Sequence, residues 1–123
     1  ILPKNYEYIC LQKEIRDNDK KDLVGCEIRS FVDEIEDFND TAGLCELMDV
    51  VISVDTSVAH LAAAMGKPTC LLLSHIPDWR WLMGREDSPW YETVKLYRQD
   101  VDRSWTVVLS KLALDLSTSV ICN

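Results

Sequence analysis

Four residues able to do chemistry gather where an apolar run gives way to a helical pattern. They are Asp55, Thr56, Ser57 and His60, within VVISVDTSVAHLAAAMGKP at 50–68. The run VVISV (50–54) is the pattern of a strand covered on both faces. After it, Val58, Leu61, Ala62 and Met65 recur at i, i+3, i+4 and i+7, which predicts a helix. Gly66 suits the position just past its end, and Pro68 bars continuation. The first turn of a helix offers about four N–H groups with no partner inside the helix, and the macrodipole adds partial positive charge. A phosphate or diphosphate fits such an end. Hydroxyls of Thr56 and Ser57 add donors, and small residues at 57 and 59 let a ligand approach. His60 lies off the Val58 stripe, on the side of Ser57 and Ala64, where it can donate to a phosphate oxygen. Asp55, at the strand end, can accept from a ribose or sugar hydroxyl.

The same residues also have plainer uses. Asp-Thr-Ser ahead of a helix is ordinary capping chemistry. A hydrolase triad from Ser57, His60 and Asp55 is disfavoured, because no GxSxG elbow is present and the three stand too close in sequence. A metal site is disfavoured too: His60 and His75 are the only histidines, and no ligands show paired spacing. His75 follows TCLLLS (69–74) and would stand at the same edge of a sheet.

The elements that must position these residues alternate between strand and helix. Tyr6–Leu11 reads as a buried strand, 14–21 as a loop with a short helix at most, and Cys26–Val32 as a second strand. Asn39 or Asp40 would cap a helix over Thr41–Met48, with Leu44, Leu47 and Met48 on one face. TCLLLS and Val94–Tyr97 read as further strands, and Ser104–Leu116 as a final amphipathic helix. Strands and helices alternating at short spacing predict a doubly wound, mainly parallel sheet: a Rossmann-like three-layer α/β/α fold in one domain over 1–123. Ligands of such sheets bind outside the carboxyl ends of the strands, where Asp55 would stand.

Composition narrows the partners. Thirteen basic against 21 acidic residues give a net charge of −8, which argues against broad nucleic-acid or anionic-membrane surfaces. No stretch approaches the roughly 20 apolar residues of a membrane span, and nothing resembles a signal peptide. The five cysteines (10, 26, 45, 70, 122) lack CxxC spacing, which reads as reduced thiols in a cytoplasmic protein. The chain opens Ile-Leu-Pro-Lys without an initiator methionine and is expected to be a piece of something longer.

DVVISVDTSVAHLAAAMGKPTCLLL, followed by PDWRWLMGREDSPWYETVKLYRQ, resembles the C-terminal half of bacterial heptosyltransferase-type glycosyltransferases. The likeness is greatest to versions appended to tetratricopeptide-repeat proteins, and it spans roughly residues 6–115. The resemblance implies the GT-B architecture: two Rossmann-like domains face a cleft, and the C-terminal one holds a nucleotide-diphosphate-sugar donor. It places Thr56, Ser57 and His60 on the donor diphosphate, with Asp55 beside them. Thr41 and Ala42 match a second helix start near the nucleoside. Gln12 and Lys13 match the end of the first strand, where Lys13 is a catalytic candidate for offsetting charge on the leaving diphosphate. The aromatic segment reads either as packing of Trp79, Trp81, Trp90 and Tyr91 or as pocket lining by Trp79 or Trp81. In the second case Arg80 or Arg85 would pair with a phosphate.

The resemblance further implies no essential metal, electrostatic stabilisation of the departing nucleoside diphosphate and a general base on the N-terminal domain. This chain has no room for that domain, so it is expected to bind donor weakly and to be inactive alone, with the partner-facing surface either exposed or covered by self-association. The alternative reading is a non-catalytic Rossmann-like binding or scaffold module. A weaker one is half of a sugar-nucleotide epimerase.

Overall fold

A computed structural model describes residues 2–12, 14–75 and 91–118. In chain order the elements are β1 (Tyr8–Cys10), α1 (Asp17–Val24), β2 (Ile28–Ser30), α2 (Phe38–Leu47), β3 (Val51–Val54), α3 (Ser57–Ala64), β4 (Thr69–Leu73), β5 (Val94–Arg98) and α4 (Trp105–Ser117). Every strand pairing among the described residues is parallel: β1 with β2, and β3–β4–β5 in that order. The fold is α/β, Rossmann-like and three-layered, as the alternation of patterns predicts. The ladders are nevertheless two, not one continuous sheet, because no strand bonding joins β1 to β3 among the described residues. Tyr6, expected inside the first strand, lies just ahead of it, and its hydroxyl donates to the Leu116 carbonyl at 2.8 Å.

Helices cover both faces of the three-stranded sheet. On one face Ala59 and Ala63 of α3 meet Leu71, Leu73, Val94 and Leu96. On the other, Val108, Leu112 and Leu116 of α4 meet Cys70 and Tyr97. The parallel register explains the division. Ile52, Cys70 and Lys95 share one face, while Ser53, Leu71 and Leu96 share the opposite one.

The Val58, Leu61, Ala62, Met65 stripe needs correction. The most buried positions of α3 are Ala59, Ala62 and Ala63, whereas Val58, Leu61 and Met65 are only partly covered. The alanines bring the helix backbone close to the sheet, which rotates the longer side chains towards the flanks. The helix ends as expected. Gly66 takes φ +76°, its N–H bonds to the Ala63 carbonyl, and the Lys67 N–H bonds to the Ala62 carbonyl.

Two other helices differ from expectation at their ends. α2 begins at Phe38, and its cap is Asp37 rather than Asn39 or Asp40. The Asp37 carboxylate accepts from the N–H groups of Asn39 and Asp40, while the Asp40 carboxylate reaches back to the N–H of Asp37. α1 extends three residues past Lys21 with no buried side chain, its acidic first turn complementing the helix dipole.

Candidate functional site

The gap between the two ladders is a groove of about 1190 Å³. It runs along the unpaired edge of β3 and reaches the starts of both α2 and α3. Gln12, Thr41, Thr56 and Ser57 all line it, so four candidates from separate parts of the sequence share one space. The remaining lining is largely apolar, with Tyr8, Phe38 and Val54 among it. Burial, then the neighbouring Tyr6, pushes the Tyr8 phenol above its ordinary value, and its hydroxyl donates to the Pro3 carbonyl.

At the start of α3, Thr56 occupies the N-cap in extended backbone, yet its side chain makes no capping bond. The hydroxyl instead pairs with Ser53 Oγ at 3.1 Å. Ser53 Oγ already donates its one proton to the Val54 carbonyl at 2.8 Å, so Thr56 is the donor in this pair. The first helical bond, from the His60 N–H to the Thr56 carbonyl, is 3.3 Å long. The amides of residues 57–59 precede it and receive no cap from Thr56. The capping reading of this segment therefore fails for Thr56, and the helix end keeps its positive pole towards the groove.

Asp55 and His60 lie beside this end. His60 Nε2 is 3.1 Å from Asp55 Oδ1, and each side chain is 30% exposed. The His60 ring also meets Tyr91 edge-on, with centroids 6.0 Å apart. Asp55 and His60 thus bond to each other rather than standing as separate groups at the cleft.

His75 is set apart from this cluster. Its backbone N–H donates to the carboxamide oxygen of Gln99 at 3.2 Å, and the Gln99 amide donates to the Arg103 carbonyl at 2.9 Å. Lys13, Trp79 and Arg80, with Trp81, Arg85 and Trp90, lie outside the described residues. Sequence reasoning missed Ser53, Gln99 and Arg98. Ser53 is the one hydroxyl in an apolar run, three residues ahead of Thr56, and that was its only signal. Arg98 ends β5 two strands from β3, and burial lowers its guanidinium from its ordinary value.

Among the described residues, no group of three or more His, Cys, Asp or Glu side chains is placed to hold a metal ion. Among the same residues, no helix is long and apolar enough to cross a membrane.

Residues 36–111 match the family model described as glycosyltransferase family 9 (heptosyltransferase). The chain belongs to glycosyltransferase family 9. The match runs from the loop before α2 into α4 and contains the whole Asp55–His60 segment. Among curated proteins, Protein FlbA of Caulobacter vibrioides is 31% identical over 85 residues, which is 69% of this chain. The chain spans 14% of FlbA's length. No solved structure matches it. Membership of the glycosyltransferase family agrees with the resemblance seen in the sequence and makes glycosyl transfer the chemistry to consider.

Proposed function

We propose that this chain is the donor-binding half of a GT-B glycosyltransferase, taking a nucleotide-diphosphate sugar for transfer to a glycan, lipopolysaccharide or protein acceptor. One observation carries the reading: the uncapped start of α3 opens on the groove that Gln12, Thr41, Thr56 and Ser57 share. Amides 57–59 and the Ser57 hydroxyl would hold the diphosphate, with His60 at its side. The nucleoside would lie along the apolar part of the groove, towards Thr41 and Gln12. Thr56 would redirect its proton from Ser53 to a phosphate oxygen when the donor arrives.

The chemistry would be electrostatic. Helix amides and a cation such as Lys13 would stabilise the departing nucleoside diphosphate without an essential metal. The base that deprotonates the acceptor would belong to an N-terminal partner domain, so residues 1–123 alone would be inactive. The domain would be the C-terminal half of a longer, cytoplasmic, tetratricopeptide-repeat glycosyltransferase, with no nucleic-acid partner. A second reading, a scaffold module that has lost the chemistry, is favoured by the apolar side chains exposed at Val24, Leu47, Val101 and Leu114. Each would be an apolar group for a partner or a second copy to cover.

Titration of the purified chain and of the full-length protein with ADP, UDP, GDP and their sugar conjugates tests the choice. Thermal stabilisation should reach about 2.7 kcal/mol at 100 times Kd for one nucleotide class. It should be lost in Thr56→Ala and His60→Ala. No stabilisation of the full-length protein would overturn the donor-binding reading in favour of the scaffold. Turnover by residues 1–123 alone would overturn the proposed inactivity.

A further inference from the structure

We propose that the groove between the two ladders is a docking slot for an extended polypeptide with apolar side chains and flanking basic residues, which pairs with the open edge of β3. The inference goes beyond the donor-binding reading and stands without it.

Strand geometry leads to it. All four residues of β3 and all three of β1 line the groove. Successive side chains of a strand point to opposite faces, so a space that every residue touches meets the strand at its edge. The β3–β4 ladder shows which groups stand on that edge. The Val51 N–H donates to the Pro68 carbonyl, and in a parallel ladder residues that bond to one neighbour alternate with residues that face away from it. Val51 and Ser53 therefore bond towards β4, while the N–H and carbonyl of Ile52 and the N–H of Val54 face the groove. No strand among the described residues takes these groups up. An open strand edge of this kind is a template for another segment of chain.

The walls of the groove select the occupant. At about 1190 Å³ it exceeds the roughly 300–1,000 Å³ of a small-molecule pocket, so it has room for a stretch of polypeptide. Phe38, Leu47 and Val54 stand exposed along it and would cover apolar side chains of the incoming strand. Among the described residues, the charged side chains that line it are Glu7, Glu14, Asp37 and Asp49, with no lysine or arginine beside them. Glu7 is paired with Arg29 and Asp37 caps α2. That leaves Glu14, after β1, and Asp49, before β3, both exposed, to meet basic residues of the partner.

Fluorescence anisotropy of the full-length protein with three labelled heptapeptides tests the proposal. The first is Lys-Val-Thr-Val-Thr-Val-Lys, the second carries Glu at both ends, and the third is the first N-methylated at its five central residues. The basic peptide should bind, and the acidic one should bind about tenfold more weakly. The N-methylated peptide cannot donate to a strand edge and should show no binding. A Glu14→Lys/Asp49→Lys variant, changed at two exposed positions outside the regular elements, should invert the preference between the basic and acidic peptides. Hydrogen exchange over β3 should show two slow and two fast amides, the fast pair slowing when the basic peptide is added. Equal binding of the N-methylated peptide, or no binding of the basic one, would overturn the proposal. Four slow amides in the peptide-free protein would mean that β1 or another part of the chain already covers the edge, and would overturn it as well.

Discussion

Thr56 Oγ1 lies 3.1 Å from Ser53 Oγ, so the hydroxyl at the N-cap of α3 turns back to β3 and gives the helix amides no cap. An N-cap threonine that does cap typically contributes about 0.5–2 kcal/mol to stability. Here the hydroxyl makes one exposed bond to another side chain, so Thr56→Val should cost less than about 0.5 kcal/mol in urea denaturation. The same change should weaken nucleoside diphosphate binding about tenfold, measured by calorimetry. A stability loss near 2 kcal/mol with unchanged binding would return Thr56 to a purely structural role.

Asp37 presents the opposite case, a cap that is fully used. Its carboxylate takes two amides of α2, and the reciprocal Asp40 completes the box. Asp37→Ala should therefore lower stability by about 1 kcal/mol. Asn39→Ala, whose side chain is not the cap, should stay within about 0.5 kcal/mol of wild type. Comparing the two by thermal unfolding checks the assignment. Because α2 carries Thr41 into the groove, the Asp37 variant should also loosen ligand binding there.

The contrast between those two helix starts shows what was legible in the sequence. The end of α3 could be read directly, because Gly66 and Pro68 act locally and few alternatives compete. The start of α2 could not, because Asp37, Asn39 and Asp40 are all eligible and only the turn geometry selects among them. The helical period located α3 and its buried Ala62, but it missed Ala59 and Ala63. Which side meets a sheet depends on how closely the backbones approach, and Ala59 and Ala63 allow an approach that Leu61 would block. Asp, Thr, Ser and His were legible as a cluster. The pairing of Asp55 with His60 was not, since a bond across five residues at a strand-to-helix turn follows neither the helical nor the strand period. The groove was least legible of all, because it arises from strands that do not pair, and hydrophobic patterning says nothing about register across a gap.

A different carboxylate ties α4 to the sheet and should be visible in the acid stability of the protein. Asp115 Oδ2 accepts from Lys95 Nζ at 2.7 Å and from the Tyr97 hydroxyl at 2.8 Å, with only 15% of its side chain exposed. Burial pushes the Asp115 carboxyl upward, but the bonds from Lys95 and Tyr97 outweigh it and hold it below the ordinary 3.8. Burial first, and then the bond to Asp115, keeps the Tyr97 phenol well above its ordinary value, so it remains a donor. A carboxyl lowered on folding adds stability that is complete above the unfolded value and fades as pH falls through the folded one. Asp115→Asn should thus cost about 1–2 kcal/mol at neutral pH. It should also flatten the loss of stability below about pH 4. Unfolding free energies measured between pH 2 and 7 for both proteins check the sign and the window.

The last prediction concerns the turn between β5 and α4, where Arg103 sits at φ +56° in the left-handed region. Such a conformation costs a residue with a Cβ about 1 kcal/mol. Two bonds hold it: the Arg103 N–H donates to the Asp100 carbonyl at 2.9 Å, and Gln99 donates to the Arg103 carbonyl. The Gln99 side chain is buried and bridges the Arg103 carbonyl to the His75 N–H, while its own N–H bonds to the Leu73 carbonyl. Arg103→Gly should raise stability by up to about 1 kcal/mol, since glycine adopts this φ without strain. Gln99→Leu should lower it by about 1–3 kcal/mol, because the amide and carbonyl it serves lose their partner. If the bridge is what enforces the strain, the two changes are coupled: with Gln99 gone the turn relaxes, and Arg103→Gly should then gain little. Equal gains from Arg103→Gly in both backgrounds, in a denaturant double-mutant cycle, would mean that the turn holds its shape without Gln99.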